Sequence, residues 1–528
     1  DGEVEKALNA LKGDLTRLVE HIMAGRARGE AYNRTALFVD TFGHRQAGSE
    51  SLEHSLEDLL AMLPPIFGAG NVRSHPFSIP RWVRGREACS LISPLVGFIS
   101  YPARTLEILG LGFSVGTDGP LEADVVVATS LAHLVELHMK DLVKERIVLF
   151  DMPYLGYGKT RPFRTHCASF AAKFGAKGLL LRSIGPFSLN SPHTGSMTYR
   201  KGQLTRATAD GLGFGAGGVP MELLGDYDGV PEIPAAAMTK EDAAMIHRML
   251  VRGTLVRVRL EMEGKMENST TTRNVIVDIV GSDKPDEVVV VSGHIDSWDV
   301  GQGALDDAAP SFVCLQTLLS VKALNLQPRR TLRMIFWSAE EIGSLGGKSY
   351  FESNLLPTET LAIAIELDFG IMNPSGIQLR ADKSTFDVAR WVGSKVLSSI
   401  GGQVYADPTF GTSDMYFWLS KNGATNGIPA MTIAHKPASE HAASVSGVGG
   451  PVWPDKWQGD YFFYHHTHAD TMEILDSGQM DRSAAIIAAH AYTIASLPDM
   501  PSRGEAKAAT GTDIVNSCFR SSVSSQCV

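Results

Sequence analysis

Five apolar runs of strand length, at 274–280, 287–295, 331–338, 361–367 and 428–434, alternate with helical stretches through the second half of the chain. Strands separated by helices do not pair as tight hairpins. Each helix returns the chain so that the next strand can run in the same direction. The pattern predicts an α/β fold, a mostly parallel central sheet with helices on both faces. Helices are expected at 310–325, where Pro310 fits the first helical position, and at 471–497.

Ligands of such sheets bind beyond the carboxyl ends of the strands, so the polar residues found there come first. "EVVVVSG" is followed by His294 and Asp296, "LRMIFWSA" by Glu340 and Glu341, and "LAIAIEL" by Asp368. Further on, "YHHTHADT" (464–471) supplies three histidines and an aspartate. Taken singly, each has an ordinary explanation as a turn pair, a solvated face or a helix cap. Together they deliver imidazole and carboxylate groups to one sheet edge. The adjacent carboxylates Asp306 and Asp307 repel each other unless something positive sits between them. Zinc accepts both nitrogen and carboxylate oxygen. Two metals about 3.5–4 Å apart need a bridging carboxylate, and a hydrolytic site needs one more acid as base. These segments contain that inventory.

At 528 residues the chain exceeds one ordinary core, and its patterning suggests four parts. Residues 1–119 open with an amphipathic helix (Val4, Leu8, Leu11, Leu15, Leu18, Ile22), expected to pack on its own domain, and a second helix at about 49–63. Residues 120–235 read as a smaller inserted unit. It has short strands at "DVVVAT" (124–129), "RIVLFD" (146–151) and "KGLLLRS" (177–183), a helix at 166–176, and a glycine-rich patch at 210–220 read as a mobile loop. Residues 236–500 form the main domain, and 501–528 a loose tail.

A net charge of −10 without a basic block argues against nucleic acid and anionic membranes as partners. No apolar run reaches 18 residues, and 90–103, broken by Pro94, reads as a buried strand. Two sequons, at Asn33 and Asn268, and a start at Asp1 fit a secreted or lysosomal protein that has lost a signal peptide. The five cysteines form no framework; Cys518 and Cys527 are close enough to pair, and Cys314 reads as a buried thiol.

The segments "ILGLGFSVGT" (108–117), "LRSIGPFSLNSPHTG" (181–195), "VSGHIDSWDVGQGALDD" (291–307), "SAEEIG" (338–343) and "FFYHHTHADTM" (462–472) resemble, in order, those of the two-zinc aminopeptidase and carboxypeptidase metallopeptidases. The likeness spans roughly residues 30–500. It implies a zinc-exopeptidase-like fold in which 120–235 is a protease-associated-like insert. It also implies two zinc ions per chain: His294 and Asp368 on one, Glu341 and His466 on the other, and Asp306 between them. His466 is chosen because His466-Thr467-His468-Ala469-Asp470 matches the family's His-Ser/Thr-x-x-Asp pattern. By the same resemblance Glu340 is the general base, Asp296 orients His294, and the Asp306–Asp307 peptide is cis.

The implied activity is hydrolysis of small peptides, chiefly dipeptides with free termini, by a homodimer; the substrate-binding residues are not identified. A related two-zinc aminopeptidase or carboxypeptidase acting on longer peptides is the alternative. A receptor-like relative without metals would have lost some of these positions, and all are present. The chain departs from the family at Ala308-Ala309-Pro310, where glycines are usual, and by the added segment 438–459.

Overall fold

The computed structural model describes residues 2–92, 95–96, 99–100, 103–186, 190–215, 218–407, 413–421, 424–425, 427–435 and 461–503. Within them the chain forms two compact units. The first comprises 2–79, 270–461 and 470–503, and the second 80–269 and 462–469.

The first unit is built on an eight-stranded sheet. Its spatial order is Val72–Val83, Lys265–Ile279, Arg330–Trp337, Lys284–His294, Leu361–Glu366, Ala430–His435, Pro374–Arg380, Gln403–Ala406. Lys284–His294 runs parallel to both its neighbours, and Leu361–Glu366 parallel to Ala430–His435. Antiparallel pairing enters at Lys265–Ile279 against Arg330–Trp337 and at Pro374–Arg380 against Ala430–His435. The sheet is mostly parallel, as the alternation of strands and helices requires. All eight residues of Arg330–Trp337 are buried, which explains why the central strands read as unbroken apolar runs instead of alternating ones.

Two helices cover this sheet with almost no exposed face. Ala309–Ala323 carries Pro310 in its first turn and buries residues all round, as does Ser477–Ser496 from Met480 onward. The latter begins later than the 471 expected, because the Asp476 carboxylate accepts the Gln479 N–H and caps it there. The amphipathic helix Gly2–Met23 buries Leu8, Leu15, Leu18 and Ile22 and packs on Ser477–Ser496, within its own unit.

The second unit is wider than the 120–235 insert expected. Its sheet runs Arg104–Leu106, Glu87–Leu91, Arg257–Met262, Leu121–Ala128, Ile147–Phe150, Gly178–Arg182, Ala235–Met238, Ile108–Gly110. The outer strands come from before 120 and after 235, since the parallel core 121–238 needs antiparallel partners on both edges to satisfy its backbone. The helix expected at 166–176 begins at Tyr157 and tolerates Pro162 inside. The glycine-rich patch is not a plain loop: Asp210–Phe214 continues the helical turn Arg206–Ala209, which Thr205 caps, and breaks at Gly213 with φ 91°. Residues 93–94, 97–98 and 101–102 of the segment 90–103, the segment 438–459, and Cys518 and Cys527 lie outside the described residues. Within 90–103 the short strands Leu95–Val96 and Ile99–Ser100 pair antiparallel in place of the single strand expected, and Cys89, Cys167 and Cys314 are buried free thiols. No helix among the described residues is long and apolar enough to cross a membrane.

Candidate metal centre

His294 closes a buried strand, Asp306 lies in the turn Ala304–Ala308 ahead of the helix at 309, and Asp368 follows Leu361–Glu366. The fold brings these three residues together. The His294 Nε2 is 3.2 Å from an Asp368 carboxylate oxygen and 3.3 Å from an Asp306 oxygen. One ligand atom from each residue lies within 4.8 Å of the other two. The opposite ring nitrogen, Nδ1, lies 2.9 Å from the main-chain oxygen of Asp296. A carbonyl can only accept, so Nδ1 carries the proton and Nε2 presents its lone pair to a metal. One imidazole nitrogen and two carboxylate oxygens, buried or half-buried, form a donor set that suits zinc. The Asp306–Asp307 peptide is cis.

Burial alone would lower the pKa of His294. The carboxylates of Asp307, Asp306 and Asp368 outweigh it and hold the imidazolium well above its ordinary value. The same burial pushes Asp307 well up, against the pull of His294. A dication in this pocket would supply the positive charge that protons otherwise provide.

Asp296 acts differently from the sequence expectation. Its carboxylate is 3.7 Å from His294 Nδ1 and instead accepts the backbone N–H groups of Glu340 (3.1 Å) and Glu341 (3.3 Å). Its main chain orients the histidine, and its side chain fixes the turn that carries both glutamates. Glu340 is buried and accepts the Ser344 hydroxyl at 3.3 Å. Its carboxyl is pushed well above the usual range by burial and then by Asp368, while His294 pulls the other way. Glu341, also buried, is its neighbour on this turn. His466 belongs to the second unit, where its Nδ1 lies 3.2 Å from the Thr194 carbonyl. Asn33 and Asn268 are both exposed.

A model of Peptidase family M28 matches residues 274–491. Carboxypeptidase Q of Pongo abelii is 34% identical over 490 residues, covering 92% of this chain and 90% of that one. The chain belongs to peptidase family M28. Membership makes it a metallopeptidase, and within M28 it is a homologue of carboxypeptidase Q. Among solved structures, the peptidase M28 precursor from Shewanella amazonensis SB2B superposes with a TM-score of 0.76 at 26% identity, over 95% of this chain and 100% of that one. BSAP, a zinc aminopeptidase from Bacillus subtilis, shares the fold at a TM-score of 0.58 and 17% identity, over 89% and 95% of the two chains. The M28 span contains His294, Asp306, Glu340, Glu341, Asp368 and His466.

Around this M28 centre stand groups to which sequence reasoning assigned no role. Asp470 accepts the N–H of Leu305 (2.6 Å) and of Asp306 (3.1 Å), pinning the Asp306 turn. Burial and the charge of Asp306 push its carboxyl up to about 7, against those two N–H donors and Arg45. Its place four residues after His466, closing the pattern that singled out that histidine, marked it, but not what it holds. Buried Glu366 accepts the Ser413 hydroxyl and two backbone N–H groups, and Ser413 lies 2.6 Å from Asp368. Arg45, fully buried, donates to the carbonyls of Ile295, Gln302 and Gly303 and so braces the loop between His294 and Asp306. Nothing in its local sequence announces this.

Proposed function

We propose that this protein is a zinc-dependent exopeptidase that cleaves short peptides, dipeptides with free termini first among them. His294 and Asp368 would hold one zinc, Glu341 and His466 a second, and Asp306 would bridge the pair. The observation that carries this reading is the His294–Asp306–Asp368 donor set, buried but for a half-buried Asp368, with Glu340 fixed at the neighbouring strand end. When bound, zinc supplies Lewis acidity that polarises the scissile carbonyl and acidifies water. Glu340 does the proton work: its carboxylate takes a proton from the attacking water and passes it to the leaving amine. Burial and the neighbouring Asp368 carboxylate raise its pKa above that of an ordinary glutamate, the direction that makes it a stronger base. Asp296 keeps Glu340 and Glu341 in their relative positions through their N–H groups.

The exposed sequon residues Asn33 and Asn268 support glycosylation in the secretory pathway, and with it a secreted or lysosomal location. Homodimerisation is part of the same reading.

The deciding experiment pairs elemental analysis with dipeptide hydrolysis for the wild type and Glu340→Gln. Two zinc ions per chain in both, with turnover lowered about 10²–10⁴-fold in the variant, would support the assignment. A variant that keeps full activity would sink it. Blocking the substrate termini refines the class: cleavage of an N-acetylated substrate would replace the dipeptidase with a carboxypeptidase of longer chains.

A further inference from the structure

His466 sits in the left-handed region of backbone space, at φ 57°, a conformation uncommon among non-glycine residues, and its surroundings hold it there. Within the second unit those surroundings are one loop, residues 191–196. The Thr194 N–H donates to the His466 carbonyl at 3.0 Å, and His466 Nδ1 donates to the Thr194 carbonyl at 3.2 Å. On one side of this pair, His193 Nε2 lies 3.0 Å from His465 Nδ1. On the other, the His468 N–H donates to the Ser191 hydroxyl at 3.1 Å. The His465 and His466 rings stack with centroids 3.6 Å apart.

The loop is itself braced. Arg164, buried in the helix Tyr157–Lys173, donates to the Thr194 carbonyl (3.1 Å), the Ser196 carbonyl (3.3 Å) and the Tyr157 hydroxyl (3.1 Å). Its guanidinium fills the space a side chain at Gly195 would need, since a Cβ there would lie 2.2 Å from Nη1. The Thr194 hydroxyl donates to the Gly110 carbonyl (2.8 Å) and the His193 N–H to the Ser183 hydroxyl (2.9 Å), tying the loop to the unit's sheet.

We propose that the loop 191–196, braced by Arg164 and His193, orients His466 for zinc, so that the second unit sets the affinity of the metal that His466 holds. The proposal rests on the reading of His466 as a ligand. A carbonyl fixed opposite Nδ1 selects the tautomer whose lone pair is on Nε2, and the paired main-chain bonds fix where that lone pair points. Arg164 and His193 are positioning residues here.

The test uses the full chain with zinc bound. Zinc retention is measured by competition with chelators of graded strength, and dipeptide turnover is followed as free zinc is raised. Arg164→Met and His193→Phe should each weaken one zinc about 10–100-fold and leave the other unchanged, with kcat recovering in excess zinc. Arg164→Lys, which keeps a donor to the carbonyls, should restore part of the loss. Folded variants that hold both zinc ions at wild-type affinity would overturn the proposal, as would lost turnover that excess zinc does not restore. If Arg164→Met fails to fold, His193→Phe, which keeps a ring beside those of His465 and His466, decides. His466→Ala is the separate check: if it retains both zinc ions, the ligand assignment itself falls.

Discussion

The two units each bury a cluster of ionisable groups, and the same force moves them in opposite directions. In the first unit Glu340, Glu366, Asp307 and Asp414 all have their carboxyls pushed up, burial being the largest cause in each. In the second, burial and then His465, His466 and Arg164 press His193 well below its ordinary value. Burial penalises charge of either sign, so it raises the pKa of the acids and lowers that of the imidazole. The consequences for a metal differ. A carboxylate brings negative charge to a dication and gives up any proton it holds, whereas a neutral imidazole offers a lone pair without charge.

Metal removal should separate the two clusters most strongly. Stripping zinc that had been present at about 1,000 times its Kd should destabilise the protein by on the order of 4 kcal/mol. It should also be accompanied by proton uptake as the carboxylates lose their counter-charge. Calorimetry and weakly buffered titration with a chelator would read both. An unchanged unfolding temperature with no proton uptake would break the contrast.

A smaller effect is expected at Asp470→Asn. The amide would turn a donor toward either the Leu305 or the Asp306 N–H, leaving a buried donor unsatisfied at about 1–3 kcal/mol. Urea unfolding would measure that loss, and because Asp306 shifts, zinc retention should fall with it.

Acidity should act on both units through histidines away from the metal centre. His490 in the first unit and His166 in the second are buried, with pKa values lowered to about 3 by burial, His166 also by Arg200 and Arg161. Below about 6.5 the unfolded chain takes up these protons and the folded one does not. Stability is therefore full above that pH and falls toward pH 3, by up to about 1.4 kcal/mol per pH unit for each histidine. Denaturant midpoints at pH 7 and pH 5 should converge in His490→Leu and His166→Leu relative to the parent; unchanged slopes would refute the assignment. The smallest effect sets the scale: Thr239→Ala removes the cap of Lys240–Val251 and should cost about 1 kcal/mol at any of these pH values.

Much of the centre was legible because strand ends are legible. Runs such as Val288–Val291 and Leu361–Ile365 are buried on both faces, so they stand out as unbroken apolar blocks, and the polar residue after each block marks the sheet edge. Arg45 and Asp414 gave no such signal. Each is one charged residue outside any strand-end pattern, and its burial is decided by segments distant in sequence: Ile295 and Gly303 for Arg45, Gly347 for Asp414. The width of the second unit was hidden for a related reason. Arg257–Met262 alternates exposed and buried residues as a half-buried strand should, but alternation does not reveal that it lies between Glu87–Leu91 and Leu121–Ala128.

The bond from His466 Nδ1 to the Thr194 carbonyl spans 272 residues of chain. At ordinary rates of synthesis that separation is roughly 15 to 50 seconds of translation. Throughout that interval the loop at 191–196 has been made but the turn it grips has not. All strands of both sheets are therefore made while His466 is still untranslated, and a product truncated before residue 466 would lack both that turn and Ser477–Ser496, the helix that covers the first unit's sheet.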